Sequence, residues 1–244
     1  MSDARLLRER NQFVAEGRFV VARTIDDGHR VMSVLVNPAS CAAIGESLSR
    51  LPDEAHVYVC NTADFAPITG FNMHRGCIAL VERPADRDPA DVMREADLLL
   101  VLEGITDADN VGSAFRNAAA FGANVLLSPT CCDPLYRKAV RTSMGSVLRV
   151  PYARLASWPR DLHRLKAEGF AIVALTLGPE AFELNACEHR ARMALMAGTE
   201  GAGLTAGAEA IADLRVRIGI AAAVDSLNVA TAVGIALHYF RNRP

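Results

Sequence analysis

Three short segments of this 244-residue chain combine polar and charged side chains with glycines. Amide, hydroxyl and carboxylate groups orient polar ligands, and a guanidinium binds phosphate and stabilises developing negative charge. Residues of these types, gathered at one place, are typical of a ligand-binding or catalytic site. The segments lie at residues 103–117, 198–203 and 218–228, and their polar members include Asn110, Arg116, Glu200, Ser226 and Asn228.

Each of these segments includes or follows a predicted strand. The strands are Leu98–Leu102, a continuous apolar run typical of burial on both faces, and Met193–Ala197 and Arg215–Ile220. Because strands alternate with helices here, we predict a mostly parallel sheet, in which ligands bind beyond the carboxyl ends of the strands. Taken singly, Asn110 and Ser226 can be helix caps and the glycines can serve tight turns. The common place of all three segments at strand ends is what predicts a site.

The chain is predicted to be α/β throughout, in two domains. Residues 82–90 are polar and contain two prolines, which indicates a domain boundary. We therefore predict a small N-terminal α/β domain with its linker at residues 1–88 and a parallel-sheet α/β domain at residues 89–244. The predicted strands are Arg18–Arg23, Val31–Val36, His56–Cys60, Cys77–Val81, Leu98–Leu102, Asn124–Leu127, Ala171–Leu175, Met193–Ala197 and Arg215–Ile220. The predicted helices are Cys41–Leu51, Asn110–Phe121, Pro134–Met144, Ala206–Leu214 and Leu227–Tyr239.

The composition excludes several classes of protein. Hydrophobic residues make up 51% of the chain, which excludes global disorder, and a formal net charge of −2 excludes a polybasic binder, although not a local basic patch. The six cysteines form no CxxC pair and no cluster with histidine, so we expect reduced thiols and no metal site. The N-terminus has no apolar leader, and Asp225 interrupts the apolar stretch at residues 218–240. We therefore expect a cytoplasmic protein without a membrane span.

One glycine pattern has a different interpretation. Gly201-Ala-Gly203-Leu-Thr-Ala206 fits the G-x-G-x-x-[GA] pattern of dinucleotide-binding enzymes. A nicotinamide-dependent oxidoreductase would bind pyrophosphate there, but the carboxylate of Glu200 would repel it. Only 41 residues follow Gly203, too few for the second half of such a sheet. This function therefore stays a distant alternative.

In order along the chain, the three segments resemble the signature motifs of the SpoU (TrmH-like) branch of the SPOUT RNA methyltransferases. Asn110-Val-Gly112, followed by Arg116-Asn-Ala118, resembles motif one, and Gly198-Thr-Glu-Gly-Ala-Gly-Leu204 resembles motif two. Ser226-Leu-Asn-Val229 resembles the core of motif three. Residues 13–84, with Glu16-Gly17 and Met73-His-Arg-Gly76, resemble the family's small RNA-binding domain.

The resemblance implies both a fold and a reaction. The fold is a parallel sheet whose C-terminal segment threads through a loop to form a deep trefoil knot, in a homodimer. The reaction is methyl transfer from S-adenosyl-L-methionine to a ribose 2′-hydroxyl of structured RNA, either rRNA or tRNA. The apolar last helix suits a dimer interface, with burial inside one chain as the alternative. The residues implied to line the cofactor pocket are Leu175, Thr176, Leu177, Gly198, Thr199, Gly201, Ile218, Ile220 and Leu227.

The resemblance also implies five catalytic residues. Arg116 is predicted to anchor the target nucleotide and to stabilise negative charge, because a guanidinium that stays protonated makes a general-base role demanding. Asn110 and Asn228 are predicted to orient ribose or phosphate, and Ser226 to hydrogen-bond near the hydroxyl. Glu200 is predicted to position Arg116 or an adjacent main-chain group.

A basic helix beside the site is predicted to bind RNA. Its candidate contacts are Arg137, Lys138, Arg141 and Ser143, and the family's Arg-x-Ser-x-Gly run is matched by Arg141, Ser143 and Gly145. Cations spaced within about one helical turn form a phosphate-binding face. A solvated helix with no ligand is the alternative.

Motif three departs from the family pattern at two positions. The usual Ile-Pro-Met is Ile218-Gly219-Ile220 in this chain, and a usual glycine is Ala222. These departures leave a second function class open, a catalytically weak RNA-binding protein on the same fold. Cofactor affinity distinguishes the two classes.

Overall fold

The computed structural model describes residues 2–70, 76–178, 180–221 and 224–242. The chain forms two compact units, Met1–Ala85 with Pro134–Leu148, and Asp86–Asp133 with Arg149–Pro244. The sequence predicts one boundary at residues 88–89, whereas the structure divides the chain at 85–86 and adds residues 134–148 to the first unit. Residues 73–75 and Ala222, which enter the family resemblance, lie outside the described residues.

The helices and strands alternate along most of the chain. In chain order they are α1 (Asp3–Arg10), β1 (Gln12–Glu16), α2 (Arg18–Asp26), β2 (Val31–Val36), α3 (Pro38–Ala43), α4 (Gly45–Leu48), β3 (His56–Val59), α5 (Phe65–Thr69), β4 (Cys77–Glu82), α6 (Pro89–Arg94), β5 (Leu98–Leu102), α7 (Ala108–Phe121), β6 (Asn124–Leu127), α8 (Arg137–Thr142), β7 (Tyr152–Arg154), α9 (Leu162–Ala167), β8 (Ala171–Leu175), β9 (Phe182–Glu183), β10 (Met193–Ala197), α10 (Ala206–Ile211), β11 (Leu214–Arg217) and α11 (Val229–Asn242). Short 3₁₀ turns lie at Thr62–Asp64, Ser146–Leu148 and Leu184–Ala186.

The first unit contains a mixed four-stranded sheet in the order β1-β4-β2-β3. β4 pairs antiparallel with β1 and β2, and β2 pairs parallel with β3. Helix α8, from the later segment of the chain, contacts β1. That contact is why residues 134–148 belong to this unit.

The prediction of a strand at Arg18–Arg23 is wrong, because these residues begin helix α2. The β-branched residues of this segment favour a strand on propensity. However, the buried side chains are Val20, Val21, Thr24 and Ile25, which share one face of a helix with 3.6 residues per turn. The predicted helix Cys41–Leu51 is likewise replaced by the two short helices α3 and α4.

The second unit contains a seven-stranded parallel sheet in the order β7-β6-β5-β10-β8-β11-β9. Strands β5, β6, β8 and β10 have the bounds that the apolar runs predict. All residues of β5 and β10 are buried, because helices cover both faces of a parallel sheet. On one face their side chains form a core with residues of α6, α9 and α10.

Three predicted elements of the later chain are shorter than expected, and one of them, the helix Ala206–Leu214, ends at Ile211 in α10. β11 ends at Arg217, so residues 218–220 leave the sheet. The predicted helix Pro134–Met144 is reduced to α8, which ends before Met144, a residue with a left-handed φ of 54°. Within the described ranges, no helix is long and apolar enough to cross a membrane.

The sheet brings the three chemistry-bearing segments to one edge. Leu102 of β5 pairs with Ala197 of β10, and β10 pairs in parallel with β8, which pairs in parallel with β11. The carboxyl ends of these four strands therefore lie side by side. Residues 103–107, 198–205, 218–221 and 224–228, which belong to or adjoin the three segments, therefore meet at this edge, together with residues 176–178 after β8.

Candidate active site

Three side chains from the three segments form one hydrogen-bonded cluster. Asn110 and Asn228 each donate from Nδ2 to Oε1 of Glu200, at 3.0 Å and 2.9 Å. Asn228 Nδ2 also donates to Oδ1 of Asn110, at 2.8 Å. We refer to Asn110, Glu200 and Asn228 as the amide–carboxylate cluster. The structure thus joins one polar residue of each predicted segment.

Helix ends hold the two asparagines of this cluster in place. Asp107 caps α7, its carboxylate accepting from the main-chain N–H of Asn110 at 3.1 Å. Asn228 Oδ1 accepts from the N–H groups of Ala230 and Thr231, at 3.0 Å and 3.2 Å, so this side chain caps α11. An N-cap side chain has few alternative conformations, which fixes the direction of the Asn228 amide.

The other two predicted catalytic residues lie outside the cluster. Arg116 is exposed on α7, and within the described part of the chain it has no hydrogen-bond or ion-pair partner. Glu200 is predicted to position Arg116 or an adjacent main-chain group; in the structure its carboxylate accepts from two amides and, among the residues described, forms no hydrogen bond or ion pair with Arg116. Ser226 is exposed and lines the neighbouring cavity.

A cavity of about 390 Å³ lies at the same edge of the sheet. All nine residues that the family resemblance implies for the cofactor line it, and Glu200 belongs to both the cavity and the cluster. Sequence reasoning gave no role to two further lining carboxylates, Glu209 and Asp225, although Asp225 adjoins the predicted Ser226. Among the described lining residues there is no Lys, Arg or His.

The loop after β10 has a shape that only glycine permits at its first residue. A Cβ on Gly198 would lie 2.1 Å from the carbonyl oxygen of Gly203. Thr199 and Gly203 exchange main-chain hydrogen bonds of 3.0 Å and 2.9 Å, which close the loop on itself. The closed loop presents main-chain groups and small side chains to the cavity.

The departure at Gly219 is accompanied by a nearby carboxylate. A Cβ at position 219 would lie 2.9 Å from Oε2 of Glu183. Glu183 in turn accepts a 2.8 Å hydrogen bond from Nε of Arg217. The space beside residue 219 is therefore filled by an ion-paired side chain, while Ile218 and Ile220 keep their places in the cavity wall.

Cysteine chemistry does not suit this site. All six cysteines are free thiols. The pKa of Cys132 is raised to about 12, mainly by burial and also by the nearby Cys131 and Asp133, although Arg154 acts in the opposite direction. Burial likewise raises the pKa of Cys77 to about 12. Both thiols stay protonated at neutral pH, and a protonated thiol is a poor nucleophile.

The predicted RNA-binding residues of α8 lie in the first unit, where a buried carboxylate partly neutralises them. Glu16 is 7% exposed and accepts from Nη1 of Arg137 at 2.5 Å and of Arg141 at 3.3 Å. Arg141 keeps 40% of its side chain exposed, and Arg137 keeps 25%. Ser143 is fully buried and donates to the carbonyl of Val140, so the prediction that it contacts RNA does not fit its environment.

A model of the SpoU rRNA methylase family matches residues 97–238, more than half of the chain. This chain belongs to that family. The matched range contains all three residues of the amide–carboxylate cluster. The family identity implied by the sequence motifs is confirmed.

Similar proteins and solved structures match nearly the whole chain. An uncharacterized tRNA/rRNA methyltransferase of Mycobacterium tuberculosis is 40% identical over 229 residues, covering 92% of this chain and 79% of the relative. The 23S rRNA (guanosine-2′-O-)-methyltransferase RlmB of Vibrio parahaemolyticus is 29% identical over 240 residues, covering 95% and 90%. The crystal structure of an AdoMet-bound rRNA methyltransferase from Sinorhizobium meliloti has a TM-score of 0.79 and 26% identity, covering 96% and 88%.

Proposed function

We propose that this SpoU family protein transfers a methyl group from S-adenosylmethionine to a ribose 2′-hydroxyl of structured RNA, either ribosomal or transfer RNA. The observation that carries the proposal is the amide–carboxylate cluster at the border of a cavity with acidic and apolar walls. The comparisons support the same reaction, since one relative is named a guanosine-2′-O-methyltransferase and one similar structure is named AdoMet-bound.

The lining of the cavity fits this cofactor. When bound, S-adenosylmethionine supplies a methyl group on a positively charged sulfonium. Glu200, Glu209 and Asp225 put negative charge around the cavity, which attracts a cationic ligand. The aliphatic residues Leu175, Ile218 and Leu227 suit an apolar ring and chain. A pyrophosphate would meet no cation among the described lining residues, which argues against the nicotinamide alternative.

The cluster and Arg116 are suited to bind the RNA acceptor. Oε1 of Glu200 is taken by two amides, whereas its Oε2 has no hydrogen-bond partner among the residues described. That oxygen is available to accept a hydrogen bond from the 2′-hydroxyl and to draw its proton away from the oxygen. Arg116 is exposed and unpaired in the described structure. Its guanidinium is therefore free to bind one phosphate of the target nucleotide through two parallel hydrogen bonds.

Titration calorimetry with S-adenosylhomocysteine tests the cofactor half of this proposal, with NADH as the control ligand. We expect saturable binding of S-adenosylhomocysteine with one site per chain and no heat from NADH. Incubation with labelled S-adenosylmethionine and rRNA or tRNA, followed by nucleoside mass spectrometry, then tests for a 2′-O-methyl product. Methylation on a base rather than on ribose would overturn the proposed acceptor.

The catalytically weak RNA-binding protein remains the second candidate, favoured by the glycine at position 219. Two observations weaken this candidate. Glu183 fills the space beside Gly219, and Ile218 and Ile220 still lie in the cavity wall. RNA binding without any affinity for S-adenosylhomocysteine would favour this candidate.

We also infer that the first unit selects the RNA. The family resemblance implies this role for the predicted domain at residues 1–88. The exposed parts of Arg141 and Lys138, on α8, would supply phosphate contacts. The second unit, which includes most of residues 89–244, would carry the reaction. Its chain path is proposed to form the family's trefoil knot. A cytoplasmic location agrees with six free thiols.

A homodimer is part of the proposal. In the described part of the second unit, Leu177, Val224 and Ile235 are large apolar residues with 60%, 49% and 41% exposure. Leu177 lies on the cavity wall, and Ile235 lies on α11, whose other face is buried against α7 and β10. A second chain that covered these residues would remove apolar surface from water at the border of the site.

A further inference from the structure

A buried carboxylate binds the residue that follows the cavity-lining segment 197–204, and it takes no part in the amide–carboxylate cluster. Glu103 follows β5 and is 5% exposed. Its Oε2 accepts from the main-chain N–H of Thr205 at 2.9 Å, and its Oε1 accepts from the Thr205 hydroxyl at 2.8 Å. The indole Nε1 of Trp158 also donates to Oε1. A buried charge needs such partners, and Glu103 has three donors from two segments.

These donors place Glu103 at the end of the cavity loop, which we define as residues 198–205. Thr205 is the last residue of that loop and the N-cap of α10, where its side chain accepts from the N–H of Ala208. The start of the loop passes close to the residue next to Glu103. A Cβ on Gly104 would lie 3.0 Å from Cγ2 of Thr199, so the backbone at residue 104 leaves little room for a side chain beside the loop.

The cavity loop supplies seven lining residues of the cavity, including Glu200. Glu103 thus hydrogen-bonds to the last residue of a segment whose middle forms one wall of the cavity and bears the cluster carboxylate. The main-chain N–H of Glu103 also donates to the carbonyl of Ala197, at 2.9 Å, which ties β5 to the last residue before the loop.

We infer that Glu103 is a positioning residue for the cofactor wall: its carboxylate fixes the cavity loop through Thr205 and links that loop to Trp158. This inference rests on the proposed function, because it assumes that the cavity binds the methyl donor. Glu103 touches no ligand in this role. It acts through the loop, and Trp158 reports on the contact because it is the only tryptophan in the chain.

The role requires a carboxylate rather than any polar side chain. A carboxylate is an acceptor at both oxygens, and all three partners of Glu103 are donors. In Glu103→Gln, an amide N–H₂ would replace one acceptor and face a donor at Thr205 or Trp158. We expect the loop to lose its fixed position and the affinity for S-adenosylhomocysteine to fall by about ten-fold, the scale of a lost hydrogen bond to a charged group.

The test combines S-adenosylhomocysteine titrations with the fluorescence of Trp158. We expect Glu103→Gln to raise the Kd and to shift the emission of Trp158, since the indole loses its charged partner. Thr205→Val, which removes the hydroxyl, should also raise the Kd, whereas Thr205→Ser, which keeps it, should restore wild-type affinity. Asp213→Asn is the matched control: it breaks an ion pair of the same unit outside the cavity and should leave the Kd unchanged.

Wild-type protein that binds no S-adenosylhomocysteine would contradict the proposed function itself. Wild-type protein that binds, together with a Glu103→Gln variant of equal affinity, would overturn the inference alone. Equal losses of affinity in Glu103→Gln and Asp213→Asn would also overturn it, because they would indicate general destabilisation. Thermal unfolding of each variant shows whether the chain is folded at the titration temperature.

Discussion

Arg116 is a cation of the site region that is exposed and has no hydrogen-bond or ion-pair partner among the described residues. Its guanidinium is therefore available to RNA without the loss of an internal contact. We expect Arg116→Ala to lower the rate of methyl transfer by about 100- to 1,000-fold, the scale for loss of a group that stabilises transition-state charge. The affinity for S-adenosylhomocysteine should not change, because Arg116 does not line the cavity. Single-turnover methylation measures the rate, and calorimetry measures the affinity for S-adenosylhomocysteine.

Two further variants make the Arg116 result specific. Arg116→Lys keeps the charge but not the two-point contact, so its rate should lie between those of wild type and Arg116→Ala. Arg160→Ala removes an exposed arginine of the same unit that does not line the cavity, and it should keep the wild-type rate. Full activity in Arg116→Ala would rule out the role assigned to this residue.

At the scale of elements, Asp213 joins three parts of the second unit. It precedes β11, accepts from the N–H of Ile172 in β8 at 2.8 Å and pairs with Lys166 of α9 at 2.8 Å. Partial burial raises the pKa of Asp213, but the hydrogen bonds from Lys166 and Ile172 and the charges of Lys166 and Arg190 outweigh it, so the pKa is lowered overall.

The lowered pKa gives the stability contribution of Asp213 a defined pH dependence. A carboxyl with a depressed pKa stabilises the folded state above its unfolded pKa of about 3.9, and this contribution is lost as the pH falls through the folded value. We expect Asp213→Asn to lower the free energy of unfolding by about 1 kcal/mol at pH 7, and the difference from wild type to vanish at the acidic end. Urea unfolding across this pH range measures both. A constant difference at all pH values would show that the ion pair is not its cause.

The elements also show how far sequence reasoning reaches. The continuous apolar runs Leu98–Leu102 and Met193–Ala197 fix their strands because a strand buried on both faces tolerates few polar residues. The strand prediction for Arg18–Arg23 fails because Val20 and Val21 favour strands locally, whereas the side chains that become buried lie on one face of a helix. Residues 134–148 join the first unit through long-range contacts of α8 with β1, which no local pattern encodes.

The same limit applies to the site. Residue type and strand-end position predict that Asn110, Glu200 and Asn228 meet, and the structure brings them together. They do not predict which groups pair, since the choice of Glu200 between an arginine and two amides depends on side-chain geometry. Glu103 received no role from sequence because its partners, Thr205 and Trp158, are 102 and 55 residues away.

For the whole molecule, the distribution of charge differs between the two units. By count, the first unit has twelve Arg and Lys against ten Asp and Glu, and the second has fourteen against eighteen. The acidic unit contains the cavity, and the more basic unit contains α8. This division agrees with a cationic cofactor in the second unit and an RNA contact through the first.

The proposed dimer is also a property of the whole molecule, and a substitution of Ile235 on α11 tests it. Ile235 is 41% exposed on a helix whose other face is buried within the chain. We expect the wild-type protein to sediment at about twice its chain mass of 26.2 kDa. Ile235→Arg should sediment as a single chain, because a charge buried in an apolar interface costs several kcal/mol.

The matched control for the dimer test is a second isoleucine-to-arginine substitution, located in the first unit. Ile68 is 62% exposed, so Ile68→Arg adds the same charge on a surface that the proposed dimer does not cover, and it should leave the mass unchanged. A monomeric wild type would end the dimer proposal. A dimeric Ile235→Arg variant would place the interface away from α11. Leu177 belongs both to the cavity wall and to the proposed interface. We therefore expect the monomeric variant to bind S-adenosylhomocysteine more weakly than the wild-type dimer.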